Sequence, residues 1–451
     1  MKRHIISARI LLLLSFVFIF GMAQQPKWRL AKGTEGINIT GVDIFYNQPD
    51  SLYAMGQSGD GVLLLSTDCG ENWDNIAGTP IHGVFKIDPF NSKRIYLNHD
   101  VLPFYGNEIL ISTDGGLNWI SLFYGIGHPP LVAAPIIEID PVDLITAYVS
   151  LNYHNILRSI DHGNSWDSIP SPNGNALSSF VIAPSNNNII YAAFSQPTQV
   201  FKSNNRGQTW TQMSFPLSEQ SSLLLAVHPR DPDIVYAAVF SYGSLPGGIY
   251  RTNDGGLTWI EKNNGLTNED WDINTIIINP KNPQELYLGT GIKSLFKSTD
   301  SGENWFEFDE GLPDTSSVNS IAIDTLNDRI YVGLASWKRA GIYIYDGITS
   351  VEHKNSEISK TFLLYQNYPN PFNSTTTIIY ILPKSGNVFL EIFDITGRTV
   401  KSLVQHFQQA GAYRTAWNGK NDANKVVSSG IYLYRLQVNN KILTRKMLLV
   451  R

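Results

Sequence analysis

The sequence predicts an all-β chain: a seven-bladed β-propeller closed by its own N-terminal strand, followed by a small Ig-like β-sandwich. Three observations carry that expectation. An eight-residue string recurs six times at a spacing near 46 residues. A second pattern recurs seven times around it: a short apolar run, a Pro- or Asn-rich turn, and another apolar run centred on Tyr. The runs are rich in β-branched and aromatic residues, too short for helices and bounded by turn formers.

The composition agrees. Charged residues are 16 % of 451, below the roughly 25 % usual for soluble chains, and aromatics are 12 %. A net charge of −5 gives no basic footprint, so a nucleic-acid partner is not expected. Cys69 is the single cysteine, which excludes internal disulfides. Residues 1–23 read as a signal peptide: a cationic "MKRH", an apolar "ILLLLSFVFIF" over 10–20, and a small residue at Ala23. That apolar run falls short of the ~18 residues needed to cross a bilayer, so no membrane span is expected after cleavage.

The strings are "STDCGENW" (66–73), "STDGGLNW" (112–119), "SIDHGNSW" (159–166), "SNNRGQTW" (203–210), "TNDGGLTW" (252–259) and "STDSGENW" (298–305). Their tryptophans are 46, 47, 44, 49 and 46 residues apart. The Tyr-centred pattern lies at 41–56, 83–99, 135–150, 178–194, 224–240, 274–290 and 319–334. Each unit then reads as strand A, a turn, strand B, a loop, strand C, the string as a turn, and strand D from Trp onward. Four strands at this period is propeller arithmetic. A helical repeat is excluded because Pro and Gly interrupt every stretch long enough for a helix. The seventh unit, "VNSIAID", "RIYVGLA" and "GIYIYDG" within 318–347, stops without a string or a strand D. At the other end "KWRLAKG" (27–33) matches the residues just after a string elsewhere, so Trp28–Leu30 is expected to supply the missing outer strand. The propeller takes residues 24–347.

Within each string the acid suits a turn that folds back on its own backbone. Asp68, Asp114, Asp161, Asp254 and Asp300 fill that place, and Asn205 fills it in the fourth copy with similar bonding capacity. The following Gly permits φ > 0. Trp73, Trp119, Trp166, Trp210, Trp259 and Trp305 offer large faces to pack between blades. A calcium loop needs about six to eight oxygen ligands, and no string has more than two carboxylates. The letters S/T-x-D-x-G-x-T/N-W resemble the Asp-box (BNR-like) repeat of sialidase-like, sortilin-like and xyloglucanase-like propellers. The resemblance implies that the boxes sit on C–D turns, away from the functional face.

That face is then built by the D–A and B–C loops, the longer ones in this sequence. They carry Trp271, Trp337, Tyr105, Tyr153, Tyr242 and Arg339 as candidate ligand contacts, since aromatic faces beside polar groups suit sugars or peptides. Packing between loops is the alternative reading of the same aromatics. Glycosidase chemistry needs two carboxyls about 5–9.5 Å apart. Glu269, Asp270 and Asp272 are the candidates if the chain is a hydrolase, although no pair is singled out. Sialidase activity is disfavoured, because the arginine cluster and Arg-Ile-Pro signature of that family are missing. Xyloglucanase-like enzymes typically use two tandem propellers with an acid in each, and this chain has one. No metal or cofactor is expected: histidines lack ligand spacing, and neither a phosphate loop nor a nucleophile elbow is present.

Residues 348–363 are polar and aperiodic, a linker. From 364 to 451 the sequence resembles the C-terminal sorting domain of type IX secretion in Bacteroidota, through "NYPNPFN" (367–373), "LEIFDITGRTV" (390–400), "GAYRTAWNGKN" (411–421), "SSGIYLYRL" (428–436) and "KILTRKMLLVR" (441–451). Strands are expected near 376–382, 387–394, 398–405, 412–417, 430–438 and 441–450. An ordinary Ig-like stalk, as in sequences resembling flagellar hook-capping proteins, is the alternative. The resemblance implies the type IX secretion machinery as a partner of 364–451 and an extracellular or outer-surface destination by way of the periplasm. The resulting expectation is a secreted propeller that binds carbohydrate or protein without catalysis. The alternative is a glycoside hydrolase acting on polysaccharide from the loop face.

Overall fold

In the computed structural model, the described residues are 28–347 and 363–450, apart from short stretches at 46–49, 58–60, 77–82, 89–90, 102–105, 127–135, 144, 152–154, 176, 196, 218–220, 242–246, 268–271, 292–294, 315, 337–338, 365–366, 368–371, 374–375, 383, 409–410 and 440. The signal-peptide reading of 1–23 and most of the linker fall outside them. All the regular secondary structure among the described residues is β.

Seven four-stranded antiparallel sheets form the blades of one ring. Blade 1 takes Asn38–Ile44, Leu52–Gln57, Val62–Ser66 and Asp74–Asn75 as strands A to D. The A strands of blades 2 to 6 are Gly83–Asp88, Ile137–Ile139, Leu177–Ile182, Ser221–Val227 and Ile273–Ile278. Blade 7 has Ser317–Asp324, Arg329–Ala335 and Gly341–Asp346, and its fourth strand is Arg29–Leu30 from the chain's other end. Each A strand touches the A strands on either side, blade 7 meeting blade 1, so the ring is closed.

The closing strand pairs Arg29 with Ile344 and Leu30 with Tyr343. A salt-bridge network locks the seam. Arg29 donates to both oxygens of Glu71 at 2.7 Å and to Asp346 at 2.9 Å. Arg329 reaches Asp346 at 2.7 Å and Glu71 at 2.9 Å. Burial alone lowers the pKa of Arg29, but the hydrogen bonds to Glu71 and Asp346 outweigh it and raise the value overall.

The register places one strand-B tyrosine at the same level in every blade, and these rings are buried among aliphatic neighbours. Several tie one blade to the next. Tyr331 donates to the Cys69 carbonyl at 2.8 Å, Tyr236 to Ser301 at 3.0 Å, and Tyr191 to Pro232 at 2.9 Å. The bonds cross blade boundaries, so removing a hydroxyl strands a carbonyl in a packed interface.

The second unit is a sandwich of two sheets. One holds Leu363–Leu364, Thr376–Leu382 and Gly411–Trp417; the other holds Thr399–Gln408, Gly386–Asp394, Gly430–Val438 and Lys441–Leu449. Trp417, Tyr434, Tyr380, Ile378, Leu390 and Leu436 are buried in its core. Asn424 adopts φ 59°, a conformation that Asn tolerates better than most residues.

Candidate ligand face and the box face

In all six boxes the first letter, Ser or Thr, is the pivot of the turn. Ser112 is buried; its hydroxyl donates to Asp114 at 2.9 Å and accepts the Gly116 N–H at 2.8 Å. Asp114 accepts the Asn118 backbone N–H at 2.9 Å and its side-chain amide at 2.7 Å. These bonds, led by the Asn118 side-chain amide, hold the Asp114 carboxyl down at about 2. Asp254 is held at about 2 in the same way, first by Thr258. The Asn205 copy keeps the geometry: its carbonyl accepts from Ser203 at 2.9 Å and from the Thr209 N–H at 2.9 Å, and its amide donates to Thr209 at 2.8 Å.

Each box is also tied to the A–B turn of its own blade, Cys69 N–H to Asp50, Gly115 to Lys93, His162 to Ile145, Arg206 to Asn188, Gly255 to Asp233 and Ser301 to Gln284. Blade 7 reproduces the tie without a box, Gly347 to Asp328. A–B and C–D turns therefore share one face, and D–A and B–C loops share the other. The A–B turns have their own repeated cap, invisible as a motif in the sequence. The Asp140, Asn279 and Asp324 side chains each accept two backbone N–H groups, and the His228 ring nitrogen does the same.

The box tryptophans differ in burial. Trp73 and Trp305 are buried, and the other four are half-buried. Trp73, Trp119, Trp166 and Trp259 donate to the Gly carbonyl of their own box. Trp210 and Trp305 reach the preceding blade instead, at Pro170 and Lys262, both 2.9 Å.

Of the candidates expected on the opposite face, Glu269, Asp270, Trp271, Trp337, Tyr105, Tyr153 and Tyr242 lie outside the described residues. Two candidates are described. Asp272 precedes strand A of blade 6; its carbonyl accepts the Gly291 N–H at 2.7 Å, and its carboxyl fills the space that a Cβ on residue 291 would need. Burial raises its pKa. Arg339 is exposed beside strand C of blade 7, and its carbonyl accepts the Tyr343 hydroxyl at 3.4 Å. Asp309, in the loop from blade 6 to blade 7, is a further carboxyl raised by burial and then by Glu307, and sequence reading did not single it out.

Behind these loops, four A strands open with a bulge, at Thr40, Ser178, Asn274 and Asn319. Bulges re-aim side chains and recur beside binding sites. Here they place four uncharged polar residues at the loop-side ends of the A strands. Asn274 donates to Ser317 at 2.8 Å and to Asn319 at 3.3 Å, and Asn319 donates to the Ile39 carbonyl at 3.1 Å, so blades 6, 7 and 1 share one chain of bonds.

Comparison with known proteins fits this architecture. Residues 154–242 match the Sortilin-Vps10 family (sortilin, neurotensin receptor 3), and residues 373–441 match the FlgD Ig-like domain. Over 244 residues the chain is 25 % identical to the xyloglucanase Xgh74A of Acetivibrio thermocellus, covering 44 % of this chain and 28 % of that one. The chain thus spans less than a third of the length of that curated relative. Among solved structures, YCF48 from Cyanidioschyzon merolae superposes with a TM-score of 0.51 at 15 % identity, covering 72 % of this chain and all of that one. A GH74 enzyme of Niastella koreensis also gives 0.51, at 16 % identity, covering 90 % of this chain and 65 % of that one. At such identities the superpositions speak for fold. The chain is an Asp-box-type propeller followed by an Ig-like sandwich.

Proposed function

We propose that this chain is an extracellular or surface propeller that recognises a xyloglucan-type polysaccharide across the face of D–A and B–C loops. The observation that carries the reading is the 244-residue similarity to a protein named as a xyloglucanase. The sequence of the D–A and B–C loops supports it: Trp271, Trp337, Tyr105, Tyr153 and Tyr242 offer aromatic rings and Arg339 a guanidinium, residue types that suit a sugar. Recognition without cleavage is the first reading, on the aromatic residue types of the loop sequences. Hydrolysis is the second, favoured by Asp272. Burial raises its carboxyl above the ordinary range, the direction a general acid requires, with Glu269 or Asp270 as its partner carboxyl.

Export belongs to the same proposal. Residues 1–23 direct the chain to the periplasm, and residues 364–451 hand it to the type IX secretion machinery. The test is retention of the full chain on a panel of immobilised polysaccharides, with reducing ends assayed in parallel. Retention by xyloglucan without new reducing ends supports recognition. Reducing ends that vanish in Asp272→Asn support hydrolysis. Retention by none of the panel overturns both. Deleting 364–451 in a type IX-competent host is expected to leave the propeller in the periplasm; surface delivery of the truncated chain would overturn the sorting role.

A further inference from the structure

The register sets one residue of each A strand opposite the repeated strand-B tyrosine. In blades 1, 2 and 3 those residues are Asp43, Lys86 and Glu138, paired with Tyr53, Tyr96 and Tyr148. In blades 4 to 7 they are Val181, Ala226, Ile277 and Ala322. One ring about the axis is therefore charged on one side and aliphatic on the other.

Beside it lies a cavity of about 320 Å³, walled by the A strands of blades 3 to 7 and rimmed by the turn prolines Pro141, Pro184, Pro229 and Pro280. Those prolines belong to A–B turns, so the cavity opens on the box face, away from the proposed polysaccharide face. Among the described residues its lining is aliphatic, without an aromatic ring for a sugar to stack on, and Glu138 is the one charged residue. At about 30 Å³ per water, the space suits on the order of ten waters or one short alkyl chain.

The charges do not balance. Asp43 and Glu138 both feel the Lys86 ammonium, two carboxylates around one cation. Asp43 is further held by the Ile44 and Ile87 N–H groups, each at 3.0 Å. Glu138 has no backbone donor among its stabilising contacts. Burial pushes its pKa up, Lys86 opposes that, and Asp43 adds to it. A nearby second cation favours the charged form of a carboxyl that burial and a neighbouring acid oppose.

We propose that the central channel binds a small aliphatic cation, a primary alkylammonium whose stem packs on Val181, Ala226 and Ile277 while its ammonium pairs with Glu138. The site is independent of the polysaccharide reading, since it uses another face and other residues.

The test is calorimetric titration of the full chain at neutral pH with n-hexylammonium, n-hexanol and n-hexanoate. Hexylammonium is expected to bind, with hexanol and hexanoate at least about tenfold weaker, a factor equivalent to ~1.4 kcal/mol. Glu138→Gln should weaken hexylammonium by a similar factor. The variant is expected to fold, because it removes a carboxylate that burial disfavours. Ala226→Leu, which fills the cavity and leaves Glu138 in place, should abolish binding. Equal affinity for the alcohol or the anion, absence of hexylammonium binding, or affinity unchanged in both variants overturns the proposal.

Discussion

The Trp28 indole donates to the Phe308 carbonyl at 3.0 Å, linking positions 280 residues apart. This is the same reach by which Trp305 bonds Lys262 and Trp210 bonds Pro170 on the preceding blade. Trp28 is thus the seventh blade's outer tryptophan, present without a box. It is buried against Phe308 and Tyr345, with ring centroids 5.8 and 5.2 Å away. Trp28→Ala should cost about 3–5 kcal/mol, more than Trp119→Ala, whose ring is only half-buried. Denaturant unfolding of the two variants checks the order. Equal losses would mean that the N-terminal strand contributes little to closure.

The box serine makes a separate prediction. Ser112→Ala removes the acceptor for the buried Gly116 N–H, and an unsatisfied buried donor costs about 1–3 kcal/mol. Ser112→Thr, the residue found in the fifth box, should restore most of it. Chemical denaturation of the pair measures both effects.

Acid should dissect the box carboxylates. The folded pKa of Asp114 is depressed to about 2 from an ordinary 3.8. Its contribution is present above the ordinary value and disappears as pH falls through the folded one. Asp114→Asn should therefore be less stable than wild type at pH 6, and the gap should close between about pH 4 and 2. Thermal melts of both proteins across that range test it. Buried Asp324 has the opposite sign: its raised pKa, caused first by burial, means that its ionisation destabilises the fold as pH rises.

Backbone strain in the boxes is unequal. The residue before the box Gly also has positive φ, 64° at Ser301 and 57° at His162. Gly occupies that place at Gly115 and Gly255. Ser301→Gly should be neutral or stabilising by up to ~1 kcal/mol, since a left-handed L-residue costs about 1–2 kcal/mol. Gly163→Ala should be strongly destabilising, because a Cβ there would lie 2.6 Å from the Tyr96 ring and 2.7 Å from Ile111. Melting temperatures of the two variants are expected to move in opposite directions or to differ sharply.

The ring and its closure were legible because they are periodic. The box repeats, and "KWRLAKG" carries the Trp and strand that the last unit lacks. The sandwich strands were legible through plain alternation in stretches such as "VFLEIFDI". The features that stayed hidden depend on register. Asp43, Lys86 and Glu138 look like isolated charges in apolar strands until pairing with Tyr53, Tyr96 and Tyr148 sets them at one level. The bulges at Thr40, Ser178, Asn274 and Asn319 likewise leave no compositional mark. The left-handed residue before the box Gly is disguised because Cys69, His162, Arg206 and Ser301 occupy it in four copies. Of the ligand-face candidates, Asp272 and Arg339 belong to the described structure, and Trp271 and Trp337 rest on the sequence pattern.

The most direct measurement is calorimetric titration of the full chain with a xyloglucan oligosaccharide, beside the Trp271→Ala/Trp337→Ala double variant. Saturable binding by the wild type, weakened at least about tenfold in a double variant that melts at the wild-type temperature, is the predicted result. Absence of binding, or equal affinity in both proteins, would contradict the assignment of the loop face.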